Sequence, residues 1–165
     1  MLFNRIIGVF RLDPATFEEV EHDQNALSQA AIVVAIVALL TGLGSGFTTI
    51  FGSRQFAGSF FSTLIWTFVG WILWSVATYF VGTSLFGGKA DLGEMLRVIG
   101  FAYAPLMLGI IPCIGGLVGT IWALVAGFIA IRQGLDFENT KAFLTVIVGL
   151  AIYFIGWLVL TAIFR

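Results

Sequence analysis

The sequence predicts an all-α membrane protein, a polytopic transmembrane helix bundle of five spans, on three observations. Hydrophobic residues make up 59% of the chain and charged residues 10%, against the roughly 25% charge of an ordinary soluble domain, and the mean hydropathy is +1.05. A soluble fold has no means of hiding that much apolar surface. Residues 24–53, 55–88 and 98–131 contain no Asp, Glu, Lys, Arg or His, and each exceeds the about 20 residues that cross a hydrocarbon core. The charges sum to only −1, yet they are strongly segregated between those stretches.

Taken in order, residues 1–25 read as a cytoplasmic amphipathic and acidic segment, and residues 26–165 as the membrane domain. Leu2, Phe3, Ile6, Ile7 and Phe10 recur at helical spacing, with Asn4, Arg5, Gly8 and Arg11 on the other side. That pattern suits a short helix lying in the membrane interface; the alternative is a helix packed on a partner or on the protein's own cytoplasmic face. Arg5 and Arg11 interleave with apolar residues, so no cleaved signal is expected. Asp13 followed by Pro14 is a helix start, with Thr16 and Glu19 offering a rival capping box one turn later.

The acidic helix running to His22 leads into a first span over 26–47, where Gly42 and Gly46 stand four apart and admit a close neighbour. Arg54 marks a short loop. A second span over 60–86 carries Trp66, Trp71 and Trp74 and ends at Gly87 and Gly88. Asp91 and Glu94 have capping-box spacing, so a third helix starts at the surface and spans 95–111. As one helix, residues 98–131 would be about 50 Å long, too long for a core of about 30 Å. Pro112 to Gly116 therefore supplies a turn, a fourth span covers 115–131, and a fifth covers 142–164 behind a cap at Asn139 or Thr140.

Charge orients this bundle. With the N-terminus inside and the C-terminus outside, Arg5, Arg11, Lys89, Arg97, Arg132 and Lys141 are cytoplasmic and only Arg54 and Arg165 lie outside, as the positive-inside rule requires. Treating 98–131 as one span weakens the split to five against three. A re-entrant hairpin at Pro112 leaves the same sides as two full spans; full spans are expected because each arm with its flanks approaches the needed length. All nine acidic residues fall on the cytoplasmic side.

Few chemistries survive. No predicted span holds an ionisable residue at its centre, which argues against an ion-driven carrier acting alone, although backbone carbonyls near Pro105 or Pro112 are able to line a path. With His22 the only histidine, no catalytic pair can be assembled inside the membrane, so no enzyme, metal or cofactor is expected. Glu18 and His22 stand four apart, but without a second His or Cys nearby they read as a solvated helix face. Cys113 is alone, which excludes an internal disulfide framework. The tryptophans, including Trp122 and Trp157, suit interfacial anchoring and filling. Gly115 and Gly119 suit packing within the bundle more than dimerisation. No basic tract marks a nucleic-acid partner.

Two blocks carry a family resemblance: Pro14-Ala15-Thr16-Phe17-Glu18-Glu19, and Gly87-Gly88-Lys89-Ala90-Asp91 followed by residues 95–105, which include Arg97, Gly100, Tyr103 and Pro105. Trp122, Gly134-Leu135 and Thr140-Lys141-Ala142 add to them. In order and spacing over about nine-tenths of the chain, these residues resemble the Yip-domain family, membrane proteins named for interaction with Ypt and Rab GTPases, in its compact prokaryotic-looking branch. The resemblance implies a five-helix membrane domain with a cytosolic N-terminus. The chain departs from eukaryotic relatives of vesicle traffic in lacking their longer cytosolic arm and its Asp-Leu-Tyr-Gly-Pro signature, so GTPase binding is not carried over.

The expectation is a non-enzymatic scaffold or adaptor, with bilayer lipid and one or more proteins as partners. Its contact face would comprise Arg5, Arg11, Glu18, Glu19, Glu21, Lys89, Asp91 and Arg97. An accessory subunit of a larger membrane complex, or a small pore, transporter or lipid-handling protein, are the alternatives. Prokaryotic cytoplasmic membrane is the preferred location, with endoplasmic reticulum or Golgi as the other.

Overall fold

The structure, a computed structural model, describes residues 1–49, 56–111 and 114–163. Arg54, Pro112, Cys113 and Arg165 lie outside the described residues, as do the surroundings of Gly46. Every element is helical: α1 (Leu2–Phe10), α2 (Pro14–His22), α3 (Ala26–Thr49), α4 (Phe56–Phe86), α5 (Leu92–Ala102), a 3-10 segment (Ala104–Ile110), α6 (Ile114–Gly134) and α7 (Asn139–Ile163). Five helical segments are long and apolar enough to cross a membrane, the third combining α5 with the 3-10 segment.

Local chemistry sets most of the ends. Asp13 caps α2 by accepting from the Ala15 amide at 3.2 Å, and Pro14 takes the first helical position. The rival box does not form: the Thr16 hydroxyl donates to Asp13 at 3.1 Å, and Glu19 is held by Arg5. Asp91 and Glu94 close a reciprocal box, both bonds at 2.7 Å. Gly87, at φ +71°, ends α4 in the left-handed region that glycine enters without penalty. Neither Asn139 nor Thr140 caps α7. The helix begins at Asn139, whose side chain accepts instead from Arg132 at 3.1 Å.

Pro105 does more than bend the third segment. Lacking an N–H, it withholds the bond that would continue α5, and the chain tightens into 3-10 geometry, with the Leu106 amide donating to the Tyr103 carbonyl at 2.9 Å. A 3-10 helix rises about 2.0 Å per residue against about 1.5 Å for an α-helix. The short third segment thereby reaches about the thickness of a hydrocarbon core.

That segment is also the central post. Half of its apolar window is buried, against 17% for α7, and it packs on α1, α2, α3, α4 and α6. Gly100 permits close packing here: a Cβ there would lie 2.8 Å from Ala30 Cβ and 3.0 Å from Trp71 Nε1. Trp71 in turn donates to the Leu96 carbonyl at 3.0 Å. Gly119 lies against the Pro105 carbonyl, where a Cβ would come within 2.7 Å. Gly42 faces the Phe60 ring.

Residues 1–25 share the core of the membrane domain. Val9, Phe17 and Val20 are fully buried in one cluster with Met95, Ile99, Ile131 and Leu135. The orientation of α1 differs from the sequence expectation. Arg5, Gly8 and Val9 are its buried residues, while Phe3 is 71% exposed. The carboxylate partners of Arg5 and the contact of Gly8 with Thr16 draw the small, polar side of the helix inward.

Candidate interaction face and membrane cavity

At the charged end of the bundle two buried arginines hold the N-terminal helices in place. Arg5 donates through Nε and Nη2 to Glu19 at 3.0 and 2.8 Å, through Nη2 to Asp23 at 2.8 Å, and through Nη1 to Gln29 at 2.9 Å. It therefore ties α1, α2, the α2–α3 connection and α3 together. The bond from Arg5, aided by the Asn25 amide, holds the Asp23 carboxyl below its usual range. Arg97, from α5, donates Nε and Nη2 to the Glu21 carbonyl at 3.1 and 2.6 Å, with Glu94 at 3.9 Å. Its charge thus neutralises the carbonyl end of α2, as the helix dipole favours.

Glu21 is itself 6% exposed, and its Oε2 has no hydrogen-bond partner. Burial, reinforced by Glu18 and opposed by His22, pushes its carboxyl up to about 7. Gln133 donates to Glu18 at 3.0 Å, linking α2 to the end of α6.

Of the residues expected to form a contact face, Glu18, Glu19, Lys89 and Asp91 are exposed at this end. Arg5, Glu21 and Arg97 are buried; the two arginines are bonded internally, because an arginine fork finds several acceptors at once in the seams between helices, whereas the Glu21 carboxylate has an oxygen without a partner. Arg11 is exposed but sits at the α1–α2 turn, before Leu12, which lies with Val118, Ile121 and Trp122 of α6. That places it about 16 Å along α6 from Gln133.

A second feature lies at the opposite end. A cavity of about 490 Å³ opens between α3, α4, the 3-10 segment and α7, lined by Thr41, Ser62, Thr63, Thr67, Thr161, Trp66, Trp157 and the two tyrosines Tyr103 and Tyr153. The hydroxyls of Thr41, Thr67 and Thr161 donate to the carbonyls one turn back, at 2.7, 2.8 and 3.0 Å, so they present acceptor lone pairs to the cavity. Tyr103 and Tyr153 stand over Gly70, where a Cβ would lie 3.1 Å from the Tyr153 hydroxyl and 3.5 Å from that of Tyr103. A smaller cavity of about 200 Å³ shares both tyrosines. Sequence reasoning missed this site because it looked for ionisable groups. The signal was present in Ser62, Thr63, Trp66, Thr67 and Gly70, which fall on one side of α4.

The sequence model of the Yip1 domain matches residues 7–162. The chain belongs to the Yip1 domain family. No curated protein and no solved structure matches it.

The residues that carry the Yip1 resemblance serve identifiable structural ends. Pro14 opens α2; Gly87 turns the chain at the end of α4; Gly88 lies against Leu135 and Phe137. Arg97 and Gly100 bind the third segment to α2, α3 and α4, and Pro105 sets its 3-10 turn. Tyr103 lines both cavities. Trp122 meets the Phe10 ring at 6.2 Å, Lys141 lies 5.8 Å from the Phe137 ring centroid, and Ala142 is fully buried.

Proposed function

We propose that this Yip1-domain protein is a non-enzymatic membrane scaffold or adaptor that docks protein partners on its charged end. The carrying observation is the pair of buried arginines. Arg5 and Arg97 fix α1 and α2 to the membrane bundle, so Glu18, Glu19, Lys89 and Asp91 are displayed on a firmly held platform. A preorganised surface loses less entropy on docking than a loose arm. Under the lysine and arginine asymmetry this platform faces the cytoplasm, and the short loops suit a prokaryotic cytoplasmic membrane.

Deleting residues 1–23 would be a poor test, since Val9, Phe17 and Val20 belong to the core. The discriminating variant is a charge reversal at an exposed position. Lys89→Glu, a reversal outside the Arg5 clamp, should abolish capture of partners crosslinked in native membranes, at unchanged thermal stability. Undiminished capture would overturn the docking reading.

The hydroxyl-lined cavity favours a second reading, lipid handling. Its lining includes no charged residue, and an unpaired charge buried there would be costly. It therefore suits an uncharged hydroxyl-bearing headgroup. Dioleoylglycerol in nanodiscs should be retained by the purified protein in native mass spectrometry and lost on Thr67→Val with Tyr153→Phe. Equal retention by the double variant would remove this reading.

A further inference from the structure

The sequence pairs Glu18 with His22 one turn apart, and the structure adds the buried Glu21 between them. One ligand atom from each of the three lies within 4.8 Å of the others. We propose that Glu18, Glu21 and His22 form a binding site for a divalent transition-metal ion of the zinc type at the charged end of the bundle.

The strongest pointer is Glu21. Its Oε2 is buried and has no hydrogen-bond donor, a costly state for a carboxylate. The nearby arginine does not relieve it, because Arg97 spends Nε and Nη2 on the Glu21 backbone carbonyl. A bound cation supplies the missing partner. His22 is prepared for the same role. Its Nδ1 lies 2.9 Å from the Glu18 carbonyl, and since a carbonyl only accepts, Nδ1 carries the proton, so that in the neutral ring Nε2 is the nitrogen with a lone pair for a metal. Backbone anchoring of the far ring nitrogen is the usual arrangement of ligating histidines. Glu18 is oriented by Gln133 at 3.0 Å.

Two carboxylates and one imidazole fit Zn²⁺ or a neighbouring first-row ion better than Ca²⁺ or Mg²⁺, which favour all-oxygen sets. Ligand bonds of about 2.1 Å hold tetrahedral ligand atoms about 3.4 Å apart. Closing to that spacing takes rotamer adjustment of Glu18 and His22, both exposed. Three protein ligands leave a position open to water or to a partner's side chain, so the ion is exchangeable. The inference stands apart from the docking reading, because it concerns the purified protein alone.

The test is calorimetric titration of Zn²⁺ into the full chain, purified in detergent without a polyhistidine tag and treated with chelator. One equivalent should bind, with a thermal upshift, and Glu21→Gln and His22→Ala should each weaken binding at least tenfold. Glu138→Gln, on the exposed α6–α7 connection, should bind as wild type. Glu21→Gln removes a buried charge and therefore folds, which keeps its result interpretable. X-ray absorption of the zinc-loaded protein should show one imidazole in the coordination sphere, lost in His22→Ala. Absence of stoichiometric binding, or wild-type affinity in both ligand variants, would overturn the site.

Discussion

Replacing Arg5 by Met should release the N-terminal hairpin while leaving the rest of the bundle intact. Methionine keeps most of the aliphatic stem, so the change isolates the guanidinium. That group is buried and makes four bonds to acceptors on three segments. Bonds to charged groups contribute about 1.5–3 kcal/mol each in favourable settings. Glu19 is 59% exposed at its side chain, so solvent screening puts its share near the low end for surface pairs. Removing the whole group should therefore cost about 3 kcal/mol, or about a hundredfold in the opening equilibrium of the hairpin. Hydrogen exchange in lipid nanodiscs reads this directly: peptides covering α1 and α2 should lose about two decades of protection, and peptides from α4 and α7 should not change. Arg5→Lys should fall between, since one ammonium cannot reproduce the fork. The sign with pH follows from Asp23. Its carboxyl is held below the usual 3.8, so its contribution is present above that value and disappears as pH falls through the depressed pKa. The gap between wild type and Arg5→Met should accordingly narrow below pH 3.8. Protection of α1 and α2 within threefold of wild type in Arg5→Met would refute the assignment of Arg5 as the clamp.

Other outcomes follow from the same packing. Arg97→Leu leaves the Glu21 carbonyl without its donors and should destabilise the whole bundle by about 2–3 kcal/mol in denaturant titration. Gly100→Ala forces apart Ala30 and Trp71 and should cost about 1–3 kcal/mol, with a change in Trp71 fluorescence. Glu21→Gln, in chelator, should raise the melting temperature at pH 8 and leave it unchanged at pH 4, because a carboxyl raised to about 7 penalises the fold above that pH and no longer does so below its unfolded value. A reporter fused after Arg165 should read the side opposite to one fused before Met1, as an odd number of crossings requires.

Helices, the number of spans and several helix ends were legible because they depend on local chemistry. The Asp91–Glu94 box, the Asp13–Pro14 start and the Gly87 stop each involve groups within a few residues of one another. What was not legible depends on distant partners. Nothing near Arg97 announces that it will find the carbonyl of Glu21, 76 positions away in the chain. Pro105 signals an interruption, but whether the chain kinks or tightens into 3-10 geometry is decided by Gly119 and Gly109, which let α6 and α3 close around it. The hydroxyl cavity draws on four elements at once. Its threonines look unremarkable singly, since a threonine in a membrane helix normally satisfies itself on its own backbone.

Of the two readings of α1 that the sequence left open, the structure shows the helix packed on the protein, and that packing leaves the interfacial reading open. The helix packs on the bundle through Arg5, Gly8 and Val9, with Leu2, Ile6 and Phe10 partly covered. What remains on its outer side includes Met1 at 92% and Phe3 at 71% exposed. A helix in water that buried its arginine and presented phenylalanine to solvent would be inverted with respect to the hydrophobic effect. Against acyl chains the same arrangement is favourable: the charge is paired with carboxylates inside the protein, and the aromatic ring faces hydrocarbon. The turn after α1 agrees, because Leu12, held at φ 57° where a branched side chain is strained, lies with Val118, Ile121, Trp122 and Val125 along the apolar outer face of α6. We propose on this ground that the hairpin is an interfacial element clamped by its polar side, with Glu18 and Gln133 marking where it would emerge at the charged end.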